Sequence, residues 1–118
     1  MNSLLSELNK IDSGIKGSAI ASRDGVTFAY SAKQNLDEDL VSSLGAALFC
    51  VGERSISNLI GGKIKQITVE GDQGHVLITL PDEDTLLITT THADADTQAI
   101  LKQMFSVKEK LALAWSFV

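Results

Sequence analysis

The chain has 118 residues, 44% of them hydrophobic and 21% charged, and 10 Lys and Arg residues against 15 Asp and Glu residues give a net charge of −5. This composition predicts one globular domain over residues 1–118 and excludes a disordered chain. The acidic balance disfavours nucleic acid and anionic membrane surfaces as partners. The single cysteine, Cys50, excludes an intrachain disulfide and favours a reducing, cytoplasmic compartment. No segment approaches the ~18 apolar residues that a membrane span requires, so no membrane insertion is expected.

The first third of the chain predicts a short helix and a hairpin. Leu4, Leu8 and Ile11 have the spacing of one helical stripe. Residues 18–22 and 26–30 then alternate as strands around Asp24-Gly25, a dipeptide that supplies the positive φ of a tight turn.

Residues 36–60 predict a long helix that carries more apolar surface than one contact needs. Acidic residues at 37–39 favour its N-terminus and Gly61-Gly62 closes it. Its apolar residues span an arc of roughly 200°, whereas ~100° suffices for a helix that packs on one sheet. We therefore expect a second face to meet another subunit. The two adjoining faces are Leu40, Leu44, Leu48, Val51 and Leu59, and Gly45, Phe49, Gly52, Ile56 and Ile60.

The remainder of the chain predicts three strands and a final helix. The strands cover residues 64–70, 75–80 and 85–91, and Asp94 or Asp96 caps the helix. The helix stripe consists of Ile100, Met104, Val107, Leu111 and Trp115. The order α-β-β-α-β-β-β-α predicts an α+β fold with a five-stranded antiparallel sheet. We expect the long helix to cover one face of that sheet and the two terminal helices the other.

Motifs of catalysis and cofactor binding are not found in the sequence. Gly61-Gly62-Lys63 is followed by Ile64 and a strand, where a phosphate-binding loop needs a hydroxyl and a helix. His92, Asp94 and Asp96 could ligate a metal, but helix capping by the aspartates is the simpler interpretation. We therefore expect no catalytic residue, no cofactor and no metal site.

The layout resembles the Roadblock/dynein light chain family over essentially the whole chain. The matching features are the leading helix, Gly17 opening a strand, Asp24-Gly25 in the first hairpin, and the long Ala/Leu-rich helix that ends at Leu59-Ile60-Gly61-Gly62. Residues 67–71 and 74–78 continue the match. Longin and profilin-like domains have a similar layout.

This resemblance implies a non-enzymatic dimeric platform that binds a small Ras-like GTPase, as a scaffold or as an activator of hydrolysis. Such activation acts through the switch residues of the GTPase itself; a direct arginine finger would have to be Arg23 or Arg54, the only arginines. We predict a homodimer in which the long helices pack antiparallel and the strand at residues 64–70 pairs with its copy at the sheet edge. The predicted dimer residues are Gly45, Phe49, Gly52, Ile56, Ile64, Ile67 and Val69.

The GTPase is expected to contact the polar arc of the long helix, which consists of Ser43, Cys50, Glu53, Arg54 and Ser57. The alternative function is a small-molecule sensor of PAS, GAF or profilin-like type, which would keep a ligand cavity beside the sheet.

Overall fold

A computed structural model describes residues 2–33 and 35–115, apart from the side chains of residues 108 and 111–115. No helix in these ranges is both long enough and apolar enough to cross a membrane. The elements follow the order predicted from the sequence. They are α1 (Asn2–Asn9), β1 (Ile15–Ser22), β2 (Thr27–Ala32), α2 (Glu38–Leu59), β3 (Gln66–Glu70), β4 (Gly74–Asp82), β5 (Thr85–His92) and α3 (Thr97–Trp115).

The five strands form one antiparallel sheet in the order β2-β1-β5-β4-β3, as predicted. Helix α2 starts after one edge strand and leads into the other, so it must cross the whole sheet. Its core cluster contains Phe49, Ile78 and Ile88. Helices α1 and α3 cover the opposite face, where Leu5, Leu87 and Met104 are buried together. Each sheet face therefore has its own hydrophobic core.

A buried polar cluster anchors α1 to the middle of the sheet. Asn9 donates through Nδ2 to the carbonyl of Ser31 at 2.8 Å and accepts a hydrogen bond from the Ser18 hydroxyl at 2.8 Å. The Ser18 and Thr89 hydroxyl oxygens lie 3.0 Å apart. These partners satisfy polar groups that would otherwise be costly to bury.

The ends of α2 follow the predicted capping chemistry. The Asp37 carboxylate accepts hydrogen bonds from the amides of Asp39 and Leu40 at 3.1 and 3.2 Å. Glu38 and Asp39 lie in the first turn, where the helix dipole favours negative charge. Gly61 follows the helix with a φ of +94°, a conformation that side-chain-bearing residues rarely adopt.

Helix α3 is capped by Asp96, whose carboxylate accepts a hydrogen bond from the Ala99 amide at 3.2 Å. Ile100, Met104 and Val107 of its predicted stripe are buried. The side chains of Leu111 and Trp115, the other two members of that stripe, lie outside the described residues.

Gly45 allows α2 to lie close to the sheet. A Cβ at this position would be 2.3 Å from Cδ1 and 2.9 Å from Cγ1 of Ile88, which is buried. We predict that Gly45→Val lowers the free energy of unfolding by about 1–3 kcal/mol, the usual cost of overpacking a core. Urea denaturation measures this loss, and Cys50→Val places the same side chain on the exposed side of the helix as a control. Equal losses in both variants would contradict the close packing at Gly45.

Candidate partner-binding surface

Residues that the sequence assigned to a dimer contact instead seat α2 on its own sheet. Phe49 is only 1% exposed, and Gly45 lies against Ile88. A Cβ on Gly52 would be 2.8 Å from Cδ1 of Ile67 and 3.0 Å from Cδ1 of Ile64. The predicted outward orientation of Gly45, Phe49 and Gly52 is therefore wrong, because α2 uses this small-residue face inside the chain. Ile56 is half-buried on the same helix.

The other apolar face of α2 is open to solvent. Leu40, Leu44, Val51 and Leu59 are exposed, and Val51 and Leu59 retain 65% and 82% of their accessible surface. We call these four residues the α2 stripe. Their spacing of four, seven and eight residues keeps them on one side of the helix. A continuous apolar stripe of this kind is typical of an interface.

Strand β3 is an edge strand, as predicted, and it contains no bulge. Its pairing with β4 runs in regular register from Gln66 to Glu70. Ile64 and Ile67 are half-buried and pack towards the core under α2, whereas Val69 is 41% exposed. Only Val69 of the predicted apolar edge residues is thus largely available to a second chain.

The opposite edge, β2, is less suited to pairing. Its register against β1 shifts between Ala29 and Thr27, which leaves Phe28 as an extra residue. Bulges of this kind are a common protection of edge strands.

The predicted polar arc on α2 is divided between two places. Glu53, Arg54 and Ser57 line one groove of about 530 Å³ at the C-terminal half of the helix. Ser43 lines a separate depression near Gly25 and the acidic first turn of α2. Cys50 is exposed and lines neither of these two depressions.

Arg23 holds α2 to the tips of two hairpins, a role that sequence reasoning missed. Its guanidinium forms an ion pair with Glu53, donates to the carbonyl of Glu83 at 3.1 Å, and lies 4.9 Å from the ring centroid of Phe49. Arg23 and Glu53 are thirty residues apart in the chain. No local pattern links them, so only the fold brings them together.

Charge is unevenly distributed along α2. Residues 37–39 are acidic, whereas residues 54–69 contain Arg54, Lys63 and Lys65 and no acidic residue. At the acidic end, burial raises the pKa of Tyr30, and the nearby carboxylates of Glu38 and Asp37 raise it further. The two ends of the helix therefore present opposite charges.

The described residues contain no group of three His, Cys, Asp or Glu side chains that could hold a metal ion. The candidate surface consists of an apolar stripe, a regular strand edge and a polar groove.

Comparison with known proteins identifies the family. The sequence profile of the Roadblock/LC7 domain matches residues 1–91. The chain is also 33% identical over 87 residues to the uncharacterized protein MJ0310 of Methanocaldococcus jannaschii, covering 74% of this chain and 75% of that protein. The chain belongs to the Roadblock/LC7 family, and the resemblance seen in the sequence is confirmed.

Solved structures share the same fold. A Roadblock/LC7 domain from Streptomyces avermitilis superposes with a TM-score of 0.91 at 18% identity, covering 98% of both chains. Myxococcus xanthus MglB gives a TM-score of 0.84 at 16% identity over 99% of this chain and 95% of that chain. Profilin IB of Acanthamoeba castellanii gives 0.65 at 13% identity over 93% and 94%. The profilin-like character of the fold is thus also confirmed.

We predict that the Arg23–Glu53 pair stabilises the seating of α2 only modestly, because both side chains are more than a third exposed. A double-mutant cycle with Arg23→Met and Glu53→Gln should give a coupling of roughly 0.2–1 kcal/mol in urea denaturation. The coupling should decrease in 1 M NaCl, since salt screens exposed charges. A coupling unchanged by salt would show that the ion pair is not its source.

Proposed function

We propose that this protein is a non-enzymatic homodimeric platform that binds and regulates a small Ras-like GTPase. The observation that carries the proposal is the exposed α2 stripe beside the regular, open edge of β3. The family resemblance supports the GTPase as partner. Solved structures of the fold include one described as MglB in a tetrameric arrangement, and this supports self-association of the present chain.

The dimer contact uses the α2 stripe and the backbone of β3. An antiparallel pairing of β3 with its copy satisfies the free edge of each sheet and brings the two α2 helices side by side. Leu44 and Val51 lie near the middle of each helix and so face the other copy across the two-fold axis. The proposed dimer residues are therefore those of the α2 stripe and Val69, in place of the residues predicted from the sequence.

Electrostatics favour the antiparallel arrangement. The acidic residues 37–39 of one helix lie beside the C-terminal end of the other, which is followed by Lys65 directly before β3. A parallel pair would instead place like charges together.

The polar arc provides the contact with the GTPase. Cys50, Arg54 and Ser57 are exposed on α2 outside the α2 stripe, and Ser43 and Glu53 complete the arc. Dimerisation through the α2 stripe leaves this arc accessible in both copies. A surface of small and lightly charged side chains can receive a protein partner at little desolvation cost.

We predict that Leu44→Glu converts the dimer to monomers, because it places two like charges in an apolar contact. Sedimentation at roughly tens of micromolar protein measures the mass of the particle. The matched control is Ala99→Glu, which adds the same charge on the exposed side of α3. A wild-type monomer under these conditions, or a dimer that survives Leu44→Glu, would contradict the proposed interface.

We predict that Arg54→Glu combined with Ser57→Arg weakens capture of the Ras-like GTPase while leaving the dimer and the melting temperature unchanged. The GTPases of the same organism, loaded with GDP or with a non-hydrolysable GTP analogue, are titrated onto immobilised protein. Binding should depend on the nucleotide, since the switch segments differ between the two states. Equal affinity for both forms indicates a passive scaffold, and undiminished binding by the double variant moves the site to the α1 and α3 face.

The sensor alternative gains no support from the core. The space between α2 and the sheet holds buried side chains, among them Phe49, Ile78 and Ile88, in one cluster. The two depressions along α2 open to solvent, and the polar residues described in their linings are exposed or half-buried.

A further inference from the structure

We infer that the groove at the C-terminal half of α2 receives a carboxylate-bearing segment of the GTPase partner. This inference rests on the proposed function and adds the chemistry of the contact. It also adds Asn58 and Lys63 to the partner-binding residues.

The groove presents hydrogen-bond donors that have no side-chain partner in the part of the chain that the structure describes. Among the described residues, Arg54 forms no ion pair, and the side chains of Ser57 and Asn58 form no hydrogen bond. Lys63 lies on the same groove, 3.8 Å from Glu83, with both side chains about nine-tenths exposed. An exposed pair at this distance leaves Lys63 available to another anion.

Glu53 is held firmly, whereas the Glu83 carboxylate has only the loose contact with Lys63. Glu53 is bound by Arg23, which also holds the Glu83 carbonyl. Three basic and two acidic side chains line the groove, so its balance is positive on a protein whose net charge is −5. Charge complementarity selects an anionic ligand here, while the overall field repels acidic proteins that do not fit the groove.

The shape of the groove favours a peptide segment over a lone anion. Ile64 and Leu80 are half-buried in its lining, so it has an apolar part beside the donors. A volume of about 530 Å³ accommodates several side chains. A short segment with carboxylates flanking an apolar residue matches both features, because carboxylates pair with Arg54 and Lys63 and the apolar residue covers Ile64 and Leu80.

The groove lies away from the proposed dimer contact. Its lining includes Arg23 and Glu83, from the β1–β2 and β4–β5 turns. The residues described as lining it include none from the α2 stripe or β3, which form the dimer contact. The carboxylates are accordingly assigned to the partner and not to the second copy.

The test uses two synthetic peptides with blocked ends, Gly-Glu-Leu-Glu-Gly and its neutral counterpart Gly-Gln-Leu-Gln-Gly. Each is titrated into the isotopically labelled full chain, and amide and side-chain NMR shifts are followed. We expect the acidic peptide alone to change the NMR shifts of Arg54, Ser57, Asn58 and Lys63.

A matched pair of variants tests the role of charge. The variant Arg54→Gln with Lys63→Gln should bind the acidic peptide about tenfold more weakly, because two charge-assisted contacts are lost. Lys10→Gln with Lys102→Gln makes the same charge change on exposed residues of other elements and should leave the affinity within about twofold.

Each other outcome overturns the inference. Equal binding of both peptides, shifts elsewhere on the surface, or an equal loss in the Lys10 and Lys102 control would show that the groove does not select carboxylates. Binding only to the monomeric Leu44→Glu protein would assign the groove to the second copy. If the Arg54→Gln, Lys63→Gln variant captured the GTPase as well as the wild-type protein does, the groove would not be the site that binds the GTPase segment. Failure of the wild-type protein to capture any Ras-like GTPase contradicts the proposed function instead, and the peptide titration distinguishes the two failures.

Discussion

The close approach of α2 to the sheet determines which side chains of the helix are exposed. Gly45 has no Cβ to separate the helix from Ile88, and Phe49 fills the space one turn further along. A helix seated on this small-residue face must turn its leucines outward, so Leu44 and Val51 are exposed. The exposed stripe is thus a consequence of how the core packs. Exposing that much apolar surface costs free energy in an isolated chain, and a second copy would remove the cost.

The two sheet edges differ in a way that suits one interface. Strand β2 has a bulge at Phe28, whereas β3 is regular over its whole length. A free and regular edge invites pairing with another strand, and natural proteins usually block such edges. Gly52 of α2 lies against Ile64 and Ile67, so the C-terminal half of the helix lies next to the open edge at β3. The fold therefore brings an exposed apolar helix face and an unpaired strand edge close together.

Arg23 links this packing to recognition. By engaging Glu53 and the Glu83 carbonyl, it neutralises a carboxylate that would otherwise compete for Arg54 and Lys63. The same side chain covers the ring of Phe49, the largest fully buried side chain among the described residues. One residue therefore contributes both to the packing of the helix and to the positive character of the groove. The Arg23–Glu53 pair contributes little to the free energy of unfolding, since both side chains are exposed, but it fixes the position of the Arg23 guanidinium.

The sequence by itself determined the type and order of the eight elements, because strand alternation, helical periodicity and caps such as Asp37 and Asp96 are local properties. It also predicted β3 as an edge strand. It could not decide which apolar face of α2 packs on the sheet, since Gly45 and Leu44 are neighbours and periodicity is the same for both faces. The face that packs is decided by the close contact between Gly45 and Ile88, which exists only in the folded chain. The Arg23–Glu53 pair was likewise decided by tertiary structure, because residues thirty positions apart meet only when the hairpin and the helix pack together.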